Sequence, residues 1–362
     1  MKIDKCTAFS YWFAHFSVEM LCFFVLESLF SGASLLNIFA LFAFDAIAFL
    51  TQPFLGKFFE HYQKLRPGLI GAALLIFGSA FSLIFRDNYP VCITGLVIFT
   101  LGNAIVHISG ALATARVSEG KLSESAIFVS GGSFGLISGK MLAKYCVPAF
   151  VAFIPALLSL LVLYFVDKRI RANYKDTAYD FIHYPLKHNI TTAKPAAAIV
   201  VILTLIVVGR GYIGYGLPTA WNTSNIQTVL LFVFMGLGKM LGGVLADRFG
   251  ARTVGITACL LSLPILLVSN HIMWLSLLGI AMFSMTMSIT LGGLFSVFRK
   301  SPGLAFGLTT IGLFFGSAPL FCTPMPPRLI CNLLNLFLSL AAAAGIYYCI
   351  ANRKNGGNSH SC

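Results

Sequence analysis

Twelve runs of mostly apolar residues, each broken by a turn or a charged segment, constrain this chain more than anything else in it. They cover 7–31, 33–56, 68–85, 91–115, 125–145, 146–166, 195–217, 225–246, 253–269, 272–297, 304–322 and 330–351. A helix rises about 1.5 Å per residue, so about 20 apolar residues cross a hydrocarbon core about 30 Å thick. The runs match that length. They are too long for barrel strands, and they lack the alternation of apolar and polar residues a membrane barrel needs. Only 10% of the residues are charged and the mean hydropathy is +0.87. A soluble domain carries charge on roughly a quarter of its positions. The expectation is an all-α membrane protein of twelve transmembrane helices.

Charge then orients the runs, because short cytoplasmic segments carry an excess of Lys and Arg. With the N-terminus inside, the inner breaks and the tail hold 19 of the 25 Lys and Arg, among them Lys57, Arg66, Arg171, Arg252 and Lys354. The outer breaks hold only Arg86, Lys144 and Arg328. Both termini are therefore expected in the cytoplasm, and the short outer loops suit a bacterial cytoplasmic (inner) membrane. The first run is too long for the core of a secretory signal. A net charge of +13 follows from this topology and from attraction to anionic lipid. It makes no case for nucleic acid. The nine cysteines show no C-x-x-C pair or metal spacing, and most read as small apolar helix residues. Cys322 and Cys331 flank an outer turn within pairing reach.

One long polar stretch, 167–194, divides the chain. It separates a six-helix bundle over 1–166 from a second over 195–362 with a short cytoplasmic tail, as paired repeats would. A shift of 187 residues sets Gly56-Lys-Phe-Phe-Glu60 on Gly243-Val-Leu-Ala-Asp247. Each is a Gly followed four residues later by a carboxylate, at the inner end of the second helix of its half.

The second copy extends to Gly243-x-Leu-Ala-Asp247-Arg248-x-Gly250-x-Arg252. It resembles the signature loop of the major facilitator superfamily, and with the topology the resemblance spans nearly the whole chain. The resemblance implies two six-helix pseudo-repeats. It also implies that Asp247 latches one half to the other at the start of the fifth helix, with Glu60 the counterpart at the eleventh. Ser123 and Ser301 stand at the starts of those two helices as candidate N-caps. The copy at Gly56–Arg66 is degenerate, and the Gly-Pro motif of antiporters is missing from the fifth helix, which argues against drug/proton antiport. Small residues spaced by four occur at Gly131, Gly135 and Gly139, at Gly238 and Gly242, at Gly303 and Gly307, and at Gly312 and Gly316. Such spacing lets helix backbones approach closely in lipid. Gly209-Arg-Gly-Tyr-Ile-Gly214 fits a dinucleotide pattern, but no strand precedes it and it lies inside an apolar run.

Ionisable groups within spans are costly and face a partner or a cavity. Here they are His15, Glu19, Glu27, Asp45, His107, Lys140, Arg210 and Lys239. Glu19 and Asp45 fall near the midplane, and His15 shares a face with Glu19 by i,i+4 spacing. His15, Glu19 and His107 suit a proton relay. Arg210 and Lys140 suit an anionic group of a substrate. Three acids facing three bases also admit purely structural pairing.

The expected activity is secondary active transport of a small polar solute, anionic if Arg210 receives it, coupled to protons by alternating access. The expected partners are that solute, protons and the lipid bilayer, with a monomer as the working unit. No cofactor is called for, and no Walker motif for ATP is present. One alternative is transport of a divalent metal held by His15, Glu19, Asp45 and His107, which Lys and Arg in the same cavity would oppose. Another is a membrane enzyme or sensor on the same fold, for which no reactive constellation stands at the membrane edge.

Overall fold

A computed structural model describes residues 3–351, apart from 33, 119, 174–192, 218 and 323–325. The described residues form helices without strands. In chain order they are α1 (Ile3–Phe30), α2 (Leu35–Leu50), α3 (Gln52–His61), α4 (Pro67–Ile84), α5 (Tyr89–Val117), α6 (Ser123–Lys144), α7 (Phe150–Asn173), α8 (Ala193–Gly216), α9 (Asn225–Phe249), α10 (Ala251–Val268), α11 (Met273–Ser284), α12 (Thr286–Val297), α13 (Pro302–Ser317), α14 (Pro319–Cys322) and α15 (Arg328–Cys349). Among the described residues eleven spans are long and apolar enough to cross a membrane, with α2–α3 and α11–α12 each counted as one.

The chain inverts the usual distribution of polarity. Phe77, Phe165, Leu205 and Phe337 lie exposed, while Ser, Thr, Asn and His side chains are buried between helices. In water this surface would not persist. In a bilayer it is the expected exterior, and the protein is a multi-pass membrane protein.

Several boundaries differ from the sequence reading. The apolar run at 304–322 is not one helix: α13 ends at Ser317, and α14 starts at Pro319, which brings no N–H to continue the ladder. Pro53, at the start of α3, likewise marks the break after Thr51. The polar stretch expected from 167 begins as helix, because α7 runs on to Asn173. Its charges explain this. Arg171 pairs with Asp167 one turn back at 2.8 Å, and Arg66 reaches the same carboxylate at 3.3 Å. Arg171 also donates to the carbonyls of Gln63 and Leu65, tying α7 to the loop before α4. The rest of the central loop, 174–192, and the tail beyond 351 lie outside the described residues. Cys331, which lies within pairing reach of Cys322 in the sequence, is a free thiol donating to the Pro326 carbonyl; the Cys322 side chain lies outside the described residues.

The small-residue ladders set the closest approaches. A Cβ on Gly131, Gly135 or Gly139 of α6 would strike the carbonyl oxygens of Trp12, Phe16 and Met20 on α1. Gly238 and Gly242 of α9 seat on Ala281 and Met285 in the same way. Gly303 and Gly307 of α13 cross to the other group of helices, against Gly56 and Pro53.

Candidate functional site

The helices before the central loop (α1–α7) and after it (α8–α15) meet along two seams. In one, α6 lies along α9. Tyr145 Oη accepts from Asn225 Nδ2 at 3.0 Å at one end, Ser133 Oγ accepts from Lys239 Nζ at 2.7 Å in the middle, and Asp247 closes the other end. In the second seam α2 and α3 lie against α13. Thr310 Oγ1 donates to the Phe49 carbonyl at 3.0 Å, and the Phe42 ring meets those of Phe314 and Phe321.

At the basic end the two seams are closed by the same device. Asp247 accepts from the backbone N–H groups of Leu122 at 2.8 Å and Ser123 at 2.9 Å, the first turn of α6. Glu60 accepts from the N–H of Gly303 at 2.7 Å, the first turn of α13. A helix N-terminus presents unpaired N–H groups and a partial positive charge, so a carboxylate from outside suits it. The serines expected as caps do not fill that role. Ser123 Oγ donates to Glu124, and Ser301 Oγ accepts from Lys57 Nζ. Glycines make room: a side chain on Gly56 would meet the backbone of Gly303, and one on Gly243 would meet Ala126 and Leu122. Gly250, at φ 91°, turns the chain from α9 into α10. Arg252 stacks over Tyr347 with its guanidinium carbon 3.9 Å from the ring centroid, and Arg248 is exposed beside Phe249. Those two arginines therefore lie off the seams.

Between the seams lies a cavity of about 220 Å³, lined by residues of both groups. His15, Glu19, Asp45 and His107 line it from the first group, Arg210 and Lys239 from the second. A larger hollow of about 540 Å³ between α8, α13 and α15 is lined by apolar residues and Tyr212, with no acid, lysine, arginine or histidine in its lining. Its rim residues Leu205, Phe315 and Phe337 are exposed, so it belongs to the lipid-facing wall.

Lys140 does not reach the cavity. It continues the α6 stripe of Gly132, Ser133 and Leu136 toward the helix end, where it is half-buried. There a long side chain can extend its ammonium to the headgroups. Glu27 is half-buried and also absent from the lining.

One wall of the cavity carries a compact hydrogen-bonded group. Glu19 Oε1 lies 3.2 Å from His107 Nε2 and accepts from Asn103 Nδ2 at 3.1 Å. His15 Nε2 stands 4.0 Å from the same oxygen, with the two imidazole centroids 4.3 Å apart. Both rings are fixed from behind: His15 Nδ1 is 2.9 Å from the Phe128 carbonyl, and His107 Nδ1 is 2.9 Å from the Asn103 carbonyl. A carbonyl only accepts, so each Nδ1 carries the hydrogen. A neutral His107 then turns the lone pair of Nε2 toward an oxygen. At 3.2 Å two such acceptors repel unless a proton lies between them. The contact therefore calls for one proton, on the carboxyl or on the imidazole.

The opposite wall is simpler. Arg210 is only 7% exposed; its Nη1 reaches Thr290 Oγ1 at a long 3.5 Å and its Nη2 has no partner among the described residues. No acid among the described residues pairs with it. Asn103, Ser133 and Thr290 were not anticipated from sequence. A neutral polar residue within a span gives little signal, since Ser and Thr commonly bond their own helix's carbonyls, as Thr100 does with Leu96.

The sequence matches no protein-family model and no curated protein. The structure does match solved ones. The E. coli fucose:proton symporter FucP is 13% identical over 95% of this chain and 98% of that one, with a TM-score of 0.66. The human organic anion transporter MFSD10 is 15% identical over 96% and 100%, at 0.69. A bacterial homologue of the iron transporter ferroportin, in an outward-facing state, is 12% identical over 96% and 99%, at 0.64. Another structure of FucP is described as that of a Major Facilitator Superfamily transporter. At such identities the likeness speaks for the fold, and the fold of this chain is that of the major facilitator superfamily transporters.

Proposed function

We propose that this chain is a secondary active transporter moving a small anionic or otherwise polar solute by alternating access, coupled to protons. One observation carries the reading. A single cavity between the two helix groups has a shared-proton site, Glu19 with His107 and His15, on one wall and an arginine without an acid partner on the other. Protonation of the first wall and binding at the second can each change how the two groups meet, which is the basis of coupling. The latches formed by Asp247 and Glu60 hold the basic end shut and would release when that end opens. We place that end in the cytoplasm of a bacterial cell, on the distribution of Lys and Arg.

Reconstituted vesicles with a trapped pH-sensitive dye test this directly. Monocarboxylates, dicarboxylates, sugar acids and organic phosphates are added in turn under an imposed pH gradient. One class is expected to move together with protons. Glu19→Gln should then abolish gradient-driven accumulation while solute exchange without a gradient persists. Accumulation that survives in Glu19→Gln would place the proton path elsewhere.

A second reading has its own support. His15, Glu19 and His107 offer ligand atoms within 4.8 Å of one another, and both Nδ1 atoms donate to backbone carbonyls. This is how ligating histidines are commonly oriented. A divalent cation would then be the cargo. Asp45 does not join the cluster. Uptake of Mn²⁺ or Zn²⁺ by the same vesicles, lost in His107→Ala, would favour this reading over the anionic solute.

A further inference from the structure

The charges lining the central cavity are sorted by sign between the two helix groups. Both acids, Glu19 and Asp45, come from α1 and α2; both basic side chains, Arg210 and Lys239, come from α8 and α9. Glu19 is engaged by Asn103 and His107, and Lys239 by Ser133. That leaves Asp45 and Arg210. Asp45 has no hydrogen-bond or ionic partner among the described residues. Its neighbours one turn away on the same helix face, Leu41, Phe42, Ala48 and Phe49, are apolar. Arg210 has only the long contact to Thr290 and one guanidinium nitrogen, Nη2, that is buried without a partner. Its neighbours Ile206, Val207 and Ile213 are apolar too.

Two opposite charges thus line one cavity from opposite groups, yet they do not pair with each other. Their joint retention is accounted for by a ligand carrying both complementary charges. A purely anionic solute would satisfy Arg210 and leave Asp45 facing it. A cation would do the reverse. At about 220 Å³ the space is below the roughly 300–1,000 Å³ usual for drug-sized ligands, which limits the solute to a few heavy atoms beyond its charged ends.

We propose that the cavity binds a small zwitterion, with a carboxylate on the Arg210 guanidinium and an ammonium on the Asp45 carboxylate. This rests on the transport reading above and narrows its substrate class. A dipolar ligand of this kind bridges the groups that must move apart and together. Its carboxylate accepts two parallel N–H bonds from Arg210, and its ammonium donates a charge-assisted hydrogen bond to Asp45. Once it is bound, no charge on either wall faces apolar surroundings alone.

Equilibrium binding to the full chain in detergent, by calorimetry, tests the pairing without requiring transport. The probes are glycine, β-alanine and γ-aminobutyrate, whose charges stand progressively farther apart. Each is compared with the acid lacking its amine (acetate, propionate, butyrate) and the amine lacking its acid (methylamine, ethylamine, propylamine). At least one amino acid is expected to bind roughly tenfold or more tightly than both of its singly charged counterparts, as a hydrogen bond between charged groups is worth. Asp45→Asn should erase the advantage over the acid and keep the advantage over the amine. Arg210→Gln should do the opposite; if that variant does not fold, the Asp45→Asn arm decides. Acids that bind as well as the amino acids, or no binding by any probe, overturn the proposal. If reconstituted vesicles take up another solute that is not a zwitterion, the transport reading survives and this one falls. Zwitterion binding with the expected variant pattern but no uptake by vesicles would leave the site standing and remove transport.

Discussion

An arginine inside hydrocarbon keeps its charge, so its surroundings must supply what water no longer does. For Arg210 the described residues supply little: one hydroxyl at 3.5 Å and no acid. The possibility that Arg210 pairs structurally with Glu27 or Asp45 therefore has no support in the geometry, and the consequences of substitution separate cleanly. Arg210→Lys retains a charge but loses the planar pair of donors, so substrate binding should weaken by roughly tenfold or more. The melting temperature should barely change, because no ion pair is broken. Arg210→Met should raise the melting temperature, since a buried charge without a partner is worse than none. A large loss of thermal stability in Arg210→Lys would instead reveal a structural pair. At this scale the sequence was informative about ionisable residues because each one is costly in a span. Spacing put His15 beside Glu19, but the sequence was silent about the neutral side chains and backbone atoms that meet the ionisable groups. Asn103 and Ser133 are indistinguishable by type from the polar residues that merely bond their own helix. The Phe128 and Asn103 carbonyls that fix the two histidines are backbone atoms, which leave no trace in residue type.

At the scale of elements, glycine spacing was the legible signal and helix ends were not. Four-residue spacing marked faces of α6, α9 and α13 where backbones touch, because only a hydrogen fits between a helix and a neighbouring carbonyl. It could not say which neighbour, and the neighbours prove to be of different kinds: α1 for α6, α11–α12 for α9, α3 across the seam for α13. Apolar length does not mark the end of α7, because Asp167, Arg66 and Arg171 extend the helix past its apolar run by pairing with one another. Glycines without such contacts provide the control. A Cβ on Gly135 would collide with the Phe16 carbonyl oxygen, a backbone atom that cannot turn aside; a Cβ on Gly209 would meet only the flexible end of Leu338 at 3.2 Å. Gly135→Ala should therefore cost about 1–3 kcal/mol through forced separation of α1 and α6. Gly209→Ala should be near neutral or slightly stabilising, as Ala favours helix over Gly by about 1 kcal/mol. Melting of the two variants in one detergent decides the matter; equal losses would mean that the close approach of α1 and α6 is not what Gly135 provides.

Over the whole molecule the two latches are related as the two copies of the Gly-x3-acid pattern are related. The degenerate copy at Gly56–Glu60 retains both elements that the contact needs: a glycine where Gly303 approaches and a carboxylate one turn later. What it has lost, by comparison with Gly243–Arg252, lies away from the seam: Arg248 is exposed and Arg252 rests on Tyr347 of its own helix group. The seams thus need one carboxylate each, and the two should act alike. Removing the charge in Asp247→Asn or Glu60→Gln should weaken closure of the basic end by about 0.3–2 kcal/mol apiece. In a protein poised between two arrangements that is enough to change their ratio several-fold. Because the sites lie on different seams, the double variant should show roughly the sum of the two effects. Spin labels on α6 and α9 near Asp247, and on α3 and α13 near Glu60, report the separation at each seam in a cysteine-free background. Under the proposed alternating access, in which the helix groups move as bodies, each single variant is expected to populate the longer distance at both seams, and the double variant to populate it further. A longer distance confined to the mutated seam would mean local fraying, with the carboxylates capping helices and governing nothing else. Membrane-impermeant thiol reagents should reach the same positions only from the cytoplasmic side, and labelling from outside intact cells would reverse the proposed orientation.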